Sequence, residues 1–485
     1  MLTILAYSMI IVFMYLIMTK RLPAMVALIV VPIAFGLIGG FGQELGPMML
    51  AGIKNLAPTG VMLMFAILYF GIMIDAGLFD PVIRRIVKVV GGDPVKIVVG
   101  TAALTMLVSL DGDGATTYMI TVAAMLPLYR RLGMSQLVLA CVIMLAGGVF
   151  NILPWGGPTA RAASALGVDV HEIFVPMLAP MLAGVAWVLF VAYVLGKKER
   201  KRLGMLQLPA EAHARQASNV SLLHPAQAGM AATGAMDGTT GQWVAHAAVP
   251  HSAGGTEAAH GAGPAPEMSV TDPAIARPGL IWVNALLTVT LLALLVAGVL
   301  PLPVLFMIFF AIAAMINYPD MEQQKARIAH HAANVLPVVS LIFAAGIFVG
   351  ILQGTKMVDA IALSVIAAVP DWMGPYLAVV TGLLSIPFTF FISNDAFYFG
   401  IVPILAKAAA VYGISAAEIG RASLIGQPVH LLSPLVASTY LLVGMAKIEF
   451  GDHQRYTLIW AIGASLVMLA AALVFGVVPF VGRAA

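Results

Sequence analysis

Charge is what this chain has least of. Asp, Glu, Lys and Arg together make up 10% of its 485 residues, against about 25% in a soluble globular protein. Basic residues exceed acidic ones by only three, a net charge of +3 too small for a nucleic-acid partner. Cysteine is nearly absent: Cys141 stands alone, which excludes an internal disulfide and says little about compartment. No basic residue precedes the first apolar run and no A-x-A site follows it, so that run reads as a retained span and not a cleaved signal peptide. Neither H-E-x-x-H nor a G-x-S-x-G turn occurs, and an enzyme is not expected.

What fills the chain instead is apolar sequence, 61% of residues, with a mean hydropathy of +1.00. A bilayer crossing takes about 20 such residues. The first half offers spans at 2–19, 23–41, 58–76, 136–160 and 174–195, and the second at 280–300, 302–317, 335–353, 420–446 and 457–481. Two further stretches, 95–128 and 376–411, are pairs of short apolar arms around a polar turn, and each reads as a re-entrant hairpin. The expected fold is an all-α polytopic membrane protein of two inverted-topology repeats, residues 1–196 and 279–485. Between them, 197–278 reads as a cytoplasmic disordered linker. It opens on the basic run Lys197-Lys198-Glu199-Arg200-Lys201-Arg202, and its five histidines, His246, His251 and His260 among them, fit either a solvated linker or a metal-binding tract.

Orientation follows from the basic residues. Lys20, Arg21, Arg84, Arg85, Lys88, Arg130, Arg131, the 197–202 run, Lys325, Arg327, Lys447 and Arg455 all fall on one side if that side is cytoplasmic. Both termini are then periplasmic, and the two hairpins open from opposite faces. Sequence pairing points the same way. Leu132-Gly133-Met134-Ser135 matches Tyr412-Gly413-Ile414-Ser415, and a proline follows each Gly by 21 residues, Pro154 and Pro434. Paired hairpins and paired helix breaks are the mark of a secondary transporter with its site at mid-membrane.

The candidate site residues are the polar groups stranded in these apolar surroundings. At the first tip they are Asp111, Gly112, Asp113, Gly114 and Thr116. Two carboxylates one Gly apart act as proton acceptors or metal ligands, or else cap helices in a solvated loop; when they are close in low dielectric, both do not readily ionise. At the second tip Ser393, Asn394 and Asp395 supply hydroxyl, amide and carboxylate, either to a ligand or to a capping turn. Asn151, Pro154, Gly156, Gly157 and Thr159 form a break with more disruption than a kink requires, exposing backbone to a ligand. Arg161 beyond it pairs with a carboxylate substrate or is an interfacial charge. His430 and Ser433 flank the matching break, His430 as a titrating or a packing residue. Proton coupling is expected of Asp113, Asp111 and Asp395, and Asp75 is expected at a membrane interface.

At these residues the sequence resembles the bacterial citrate–divalent metal:proton symporters. The resemblance is carried by 60–68 through 75–80, by Leu110 to Thr121, by Asn151 to Arg161 and by 196–204. It implies uptake of citrate complexed with a divalent metal such as Mg or Ca, in symport with protons, in the bacterial inner membrane. The metal enters as the citrate complex and no resident cofactor is implied. In the larger superfamily, which includes sodium-coupled carriers, each tip carries Ser-Asn-Thr. Here Gly112-Asp113-Gly114 and Ser393-Asn394-Asp395 stand there, so the resemblance implies protons or metal in place of sodium. An elevator-type transporter, a homodimer with 2–41 and 280–317 as scaffold, is expected by the same analogy. A proton-coupled carrier of an uncomplexed acid, gluconate or a dicarboxylate, and a cation/proton antiporter remain open alternatives.

Overall fold

The computed structural model describes residues 2–19, 21–90, 92–112, 114–203, 273–368, 370 and 372–483. Among them there is no strand, and seven helices are long and apolar enough to cross a membrane. The first half runs α1 (Leu2–Met18), α2 (Ala24–Ile38), the long α3 (Leu45–Asp75), the short α4 (Asp80–Val90), α5 (Pro94–Val108), α6 (Gly114–Arg131), α7 (Gln136–Phe150), α8 (Gly157–Leu166) and the long α9 (Val170–Leu203). The second half runs α10 (Ile281–Ala297), α11 (Leu302–Asn317), the long α12 (Met321–Gly354), the short α13 (Met357–Ala368), α14 (Leu377–Phe391), α15 (Val402–Ala410), α16 (Ala416–Ser423), α17 (Gln427–His430), α18 (Ala437–Ala446) and α19 (Phe450–Val474). A π-helical segment, Ala396–Ile401, opens α15, and a 3-10 turn joins α16 to α17.

Local chemistry sets several of these boundaries. Asp93 caps α5, accepting from the Val95 amide at 3.0 Å with Pro94 in the first turn. Asp320 caps α12 through the Gln323 amide at 3.1 Å, and Ser415 and Glu418 close a reciprocal capping box on α16.

Two packed bodies result. In the first, α3 and α12 lie antiparallel along their length, with α11 against α3 and α2 against α12. Their crossing is backbone on backbone: a Cβ on Gly52 would fall 1.9 Å from the Gly346 carbonyl oxygen and 2.8 Å from the Gly350 Cα. Small residues substitute for the hydrophobic drive that lipid removes. A reciprocal amide pair, Asn284 with Asn317 at 2.8 and 2.9 Å, fixes α10 against α11. The second body packs α5, α7, α9 and α19 together, α6 against α18, and α14 against the α16–α17 turn. Cys141 sits inside it on α7, fully buried.

Three expectations change here. The third span is not 58–76 but begins at Leu45, since Lys54 and Pro58 depress hydropathy without breaking the helix. The corresponding helix of the second half likewise begins at Met321 rather than 335. The basic run 197–202 is not linker but the end of α9, where Glu199 accepts from the Ser135 amide at 3.0 Å and Arg200 Nε donates to Asp93 at 2.9 Å. Asp75, the last residue of α3, is 7% exposed, with His331 Nε2 2.8 Å and Arg327 Nη1 3.6 Å from its Oδ2. The remainder of the expected linker, 204–272, with His246, His251 and His260, lies outside the described residues.

The Asp93–Arg200 pair makes the first prediction. Partial burial alone would raise the Asp93 carboxyl, but the Arg200 hydrogen bonds, the Val95 amide and the Arg200 and Lys96 charges outweigh it and hold it below the usual carboxylate range. Its stabilisation is therefore present above the unfolded value of about 3.9 and lost as pH falls through the lower folded value. Asp93→Asn should lower thermal stability slightly at pH 7, by no more than about 1 kcal/mol. Melting curves should converge with wild type as pH falls through that lower folded value; a difference unchanged under acid would refute the assignment.

Candidate functional site

The site is built where two helices stop in mid-course. α7 ends at Phe150 and α8 restarts at Gly157; α17 ends at His430 and α18 restarts at Ala437. Each gap is bridged by a threonine of the outgoing helix. Thr159 donates to the Ile152 carbonyl at 2.7 Å, and Thr439 donates to the Leu431 carbonyl. Both hydroxyls are wholly buried and act on backbone freed by the break. Thr159 thus serves the geometry of the gap. Ser433, also buried, similarly accepts from the Leu435 amide at 3.2 Å. Pro154 sits in the first gap. Gly156 there has no room for a Cβ, which would lie 2.4 Å from the Asn151 carbonyl oxygen.

The first tip follows α5 through a 3-10 turn, Ser109–Asp111, into Gly112 at φ +78°. Only glycine adopts that turn without cost, and a Cβ there would also strike the Trp155 ring at 2.7 Å. Trp155 Nε1 donates to the Leu110 carbonyl at 2.9 Å, while its ring packs on Phe70 of α3 and Phe306 of α11 at 5.1 and 5.3 Å between centroids. One indole therefore ties the first break to the first tip and to the α3–α11 pair. Asp111 is buried and accepts from Thr117 at 3.4 Å. Ser109 Oγ is buried with no hydrogen-bond partner among the described residues, an unmet polar group at the tip. Gly114 faces Ser438 at the start of α18, and Thr116 lies in the first turn of α6. Asp113 lies outside the described residues.

The second tip meets the first break directly. Arg161, on the first turns of α8, donates from Nε to Asp395 Oδ1 at 2.6 Å. The two side chains are 20% and 17% exposed, mostly desolvated yet reachable. Gly157 leaves room for this arginine: a Cβ on it would lie 2.4 Å from Arg161 Nη1. Beside the pair runs an amide chain that sequence reading missed. Asn151 donates to Gln427 Oε1 at 2.9 Å, and Gln427 Nε2 donates to Asn394 Oδ1 at 3.2 Å and Tyr398 Oη at 2.8 Å. Gln427 is a lone amide in an apolar helix, and that isolation was the available signal. Ser393 Oγ accepts from the Ala396 amide at 3.2 Å, capping the π segment. His430 is buried, its Nδ1 2.7 Å from the Thr389 carbonyl oxygen.

Of the expected residues, the structure thus joins Asn151, Asn394, Asp395 and Arg161 in one polar cluster between the first break and the second tip. Asp111 belongs to the first tip, and Ser433 and Thr159 turn inward on backbone. Among the described residues no three His, Cys, Asp or Glu side chains gather in a metal-binding group. A separate cavity of about 360 Å³ lies between α3 and α8, lined by Asn55, Thr59, Ala163 and Asp169 among others, and neither tip lines it. Chemically, the cluster offers one guanidinium, one carboxylate and three amides, a set suited to a carboxylate-bearing ligand.

Comparison with known proteins places the chain in a family. The sequence profile of the citrate transporter family matches residues 13–426. A protein of Bacillus subtilis (strain 168) named citrate transporter is 56% identical over 480 residues, covering 99% of this chain and 100% of the relative. A second from the same organism, named Mg(2+)/citrate complex secondary transporter, is 49% identical over 479 residues, 99% of each chain. Two solved structures share the fold at 14% identity. The Alcanivorax borkumensis YdaH transporter has a TM-score of 0.55 over 90% of this chain and 88% of that one. Neisseria gonorrhoeae MtrF has a TM-score of 0.57 over 91% and 86%. These relatives are transporters, not enzymes. The chain belongs to the citrate transporter family and is a multi-pass membrane protein.

Proposed function

We propose that this protein is a secondary active transporter that imports citrate, complexed with a divalent metal ion, in symport with protons across the bacterial inner membrane. The observation that carries the reading is Arg161, a guanidinium ion-paired to Asp395 in the polar cluster between a broken helix and a hairpin tip. A buried charge of that kind is costly, and where it persists in a membrane it marks a substrate or ion path. Citrate is trianionic at neutral pH, so a divalent metal leaves one negative charge for one arginine to meet. The relative named for a Mg(2+)/citrate complex supports the metal-bound form. The metal is cargo, held by citrate oxygens that suit Mg or Ca.

The two halves act as inverted repeats in this reading, with both termini periplasmic. Their matching element order and the two threonine-bridged breaks support it. Transport is an elevator-like shift of the body holding both hairpins and both breaks against a scaffold of α1–α3 and α10–α12, which also forms a homodimer interface. The linker between the repeats stays cytoplasmic.

Uptake of radiolabelled citrate into proteoliposomes under an imposed proton gradient tests the proposal. Mg, Ca, a softer divalent ion or EDTA is supplied in turn. Uptake should require a divalent ion and collapse with a protonophore. Uptake indifferent to EDTA would replace the complex by free acid. No citrate uptake under any condition would refute the proposal.

A further inference from the structure

Resting on the citrate reading above, the geometry points to the Arg161–Asp395 ion pair as the element that couples substrate to proton: a substrate carboxylate takes Arg161, and Asp395, displaced, takes a proton. The pair is isolated in charge. Arg161 is the only ionisable residue of α8, and Asp395 the only acid in 376–411. The elements packed against the second tip add few charges. α1 and α14 carry none. On α15 Lys407 is paired with Asp359 at 2.9 Å, and on α12 His331 and Arg327 are paired with Asp75. On α17 His430 holds the Thr389 carbonyl through Nδ1. Gln427, Asn394 and Tyr398 beside the tip are uncharged donors and acceptors. Among the described residues no second cation is therefore in position to hold Asp395 ionised once Arg161 turns to another carboxylate.

Charge arithmetic then makes coupling obligatory. In the empty carrier the guanidinium and carboxylate sum to zero. With a singly negative metal–citrate complex on Arg161 and a proton on a carboxylate oxygen of Asp395, the sum is again zero. Complex without proton leaves one net negative charge, and proton without complex leaves Arg161 unpaired. Each of those states must carry an uncompensated charge through low dielectric, which costs several kcal/mol. Only the two neutral states reorient readily. The proton comes from the water on the side where the complex binds. It returns to water on the other side as the complex leaves and Arg161 re-forms its bond to Asp395. The same sum disfavours uncomplexed citrate, whose extra negative charges one arginine and one proton do not offset. The pair thus selects a complex of single negative charge.

The test uses the full-length protein. Isothermal titration of magnesium citrate into purified wild type, repeated in buffers of different ionisation enthalpy, should show uptake of about one proton per complex bound; no proton uptake would overturn the exchange. Asp395→Asn, a fixed neutral side chain, should split two transport modes in proteoliposomes. Net uptake should fall at least about tenfold, because the empty carrier returns with Arg161 unpaired. Exchange of external labelled for internal unlabelled citrate needs no empty return, and should fall less than about threefold with its pH dependence lost. Net uptake still driven by the proton gradient would refute the inference, as would equal loss of both modes in a folded protein that binds citrate. A variant that does not fold leaves the titration to decide. Wild type without citrate uptake would sink the functional reading itself; wild-type uptake with a still proton-driven Asp395→Asn would sink only the exchange.

Discussion

Arg161→Gln should reduce citrate uptake at least about 100-fold in kcat/KM, with the protein still folded. Two losses combine. The only guanidinium at the cluster disappears, and Asp395 is left mostly desolvated without its 2.6 Å partner. Removing one partner of a buried pair costs about 3–5 kcal/mol, and each 1.36 kcal/mol is about tenfold in rate. Lysine is the informative control. Arg161→Lys keeps the charge but loses the planar fork that meets a carboxylate with two donors, so uptake should fall between the other two proteins. Initial rates in proteoliposomes, with size-exclusion profiles to establish folding, make the comparison. Uptake by Arg161→Gln within about threefold of wild type would remove Arg161 from the site.

The second large effect lies far from the cluster. Gly52→Val should leave little folded protein in the membrane, and what remains should melt well below wild type. A Cβ on Gly52 enters the Gly346 carbonyl oxygen at 1.9 Å and crowds the Gly350 Cα. Neither atom belongs to a side chain that can rotate away, so α3 and α12 must separate. Overpacking a core commonly costs about 1–3 kcal/mol where side chains can yield; here the contact is between backbones, and the cost lies at or above the top of that range. Gly60→Ala provides the contrast on the same helix. Its nearest neighbour is the Phe343 ring at 3.1 Å, a side chain with room to adjust. Thermal melts followed by fluorescence-detected size exclusion rank the two. Equal stability of Gly52→Val and wild type would refute the described crossing.

Much of this architecture is legible in the sequence because membranes punish polar groups. Proline inside an apolar run marked both breaks, at Pro154 and Pro434, and the glycine-flanked polar turn marked the first tip. Arg161, Asn151, Asn394 and Asp395 stood out for the same reason, polar groups set in apolar stretches of sequence. What stayed hidden was pairing across the halves. Asp75 stood out as a charge at the end of a span, but its partner His331 lies 256 positions away, and no periodicity reports such a contact. Gln427 was passed over for His430, three residues on, although its amide joins Asn151 to Asn394. Trp155 read as part of a broken helix; its hold on Leu110, Phe70 and Phe306 depends on three distant segments meeting. Helix lengths were underestimated where a single Lys or Pro lowered the hydropathy of a turn that tertiary packing nevertheless keeps helical.

Cys141 gives the chain a practical property. Its thiol is fully enclosed on α7, out of reach of water-borne maleimides and methanethiosulfonates. The native protein is then close to a cysteine-free background for site-directed labelling, with no stabilising replacement required. Val411 at the end of the second hairpin and Ile38 at the end of α2 are both well exposed, at 55% and 68%. Cysteines placed at those two positions would carry spin labels or fluorophores on opposite sides of the proposed sliding boundary. The interlabel distance would then follow the carrier through its cycle by spectroscopy, with the chain otherwise unaltered.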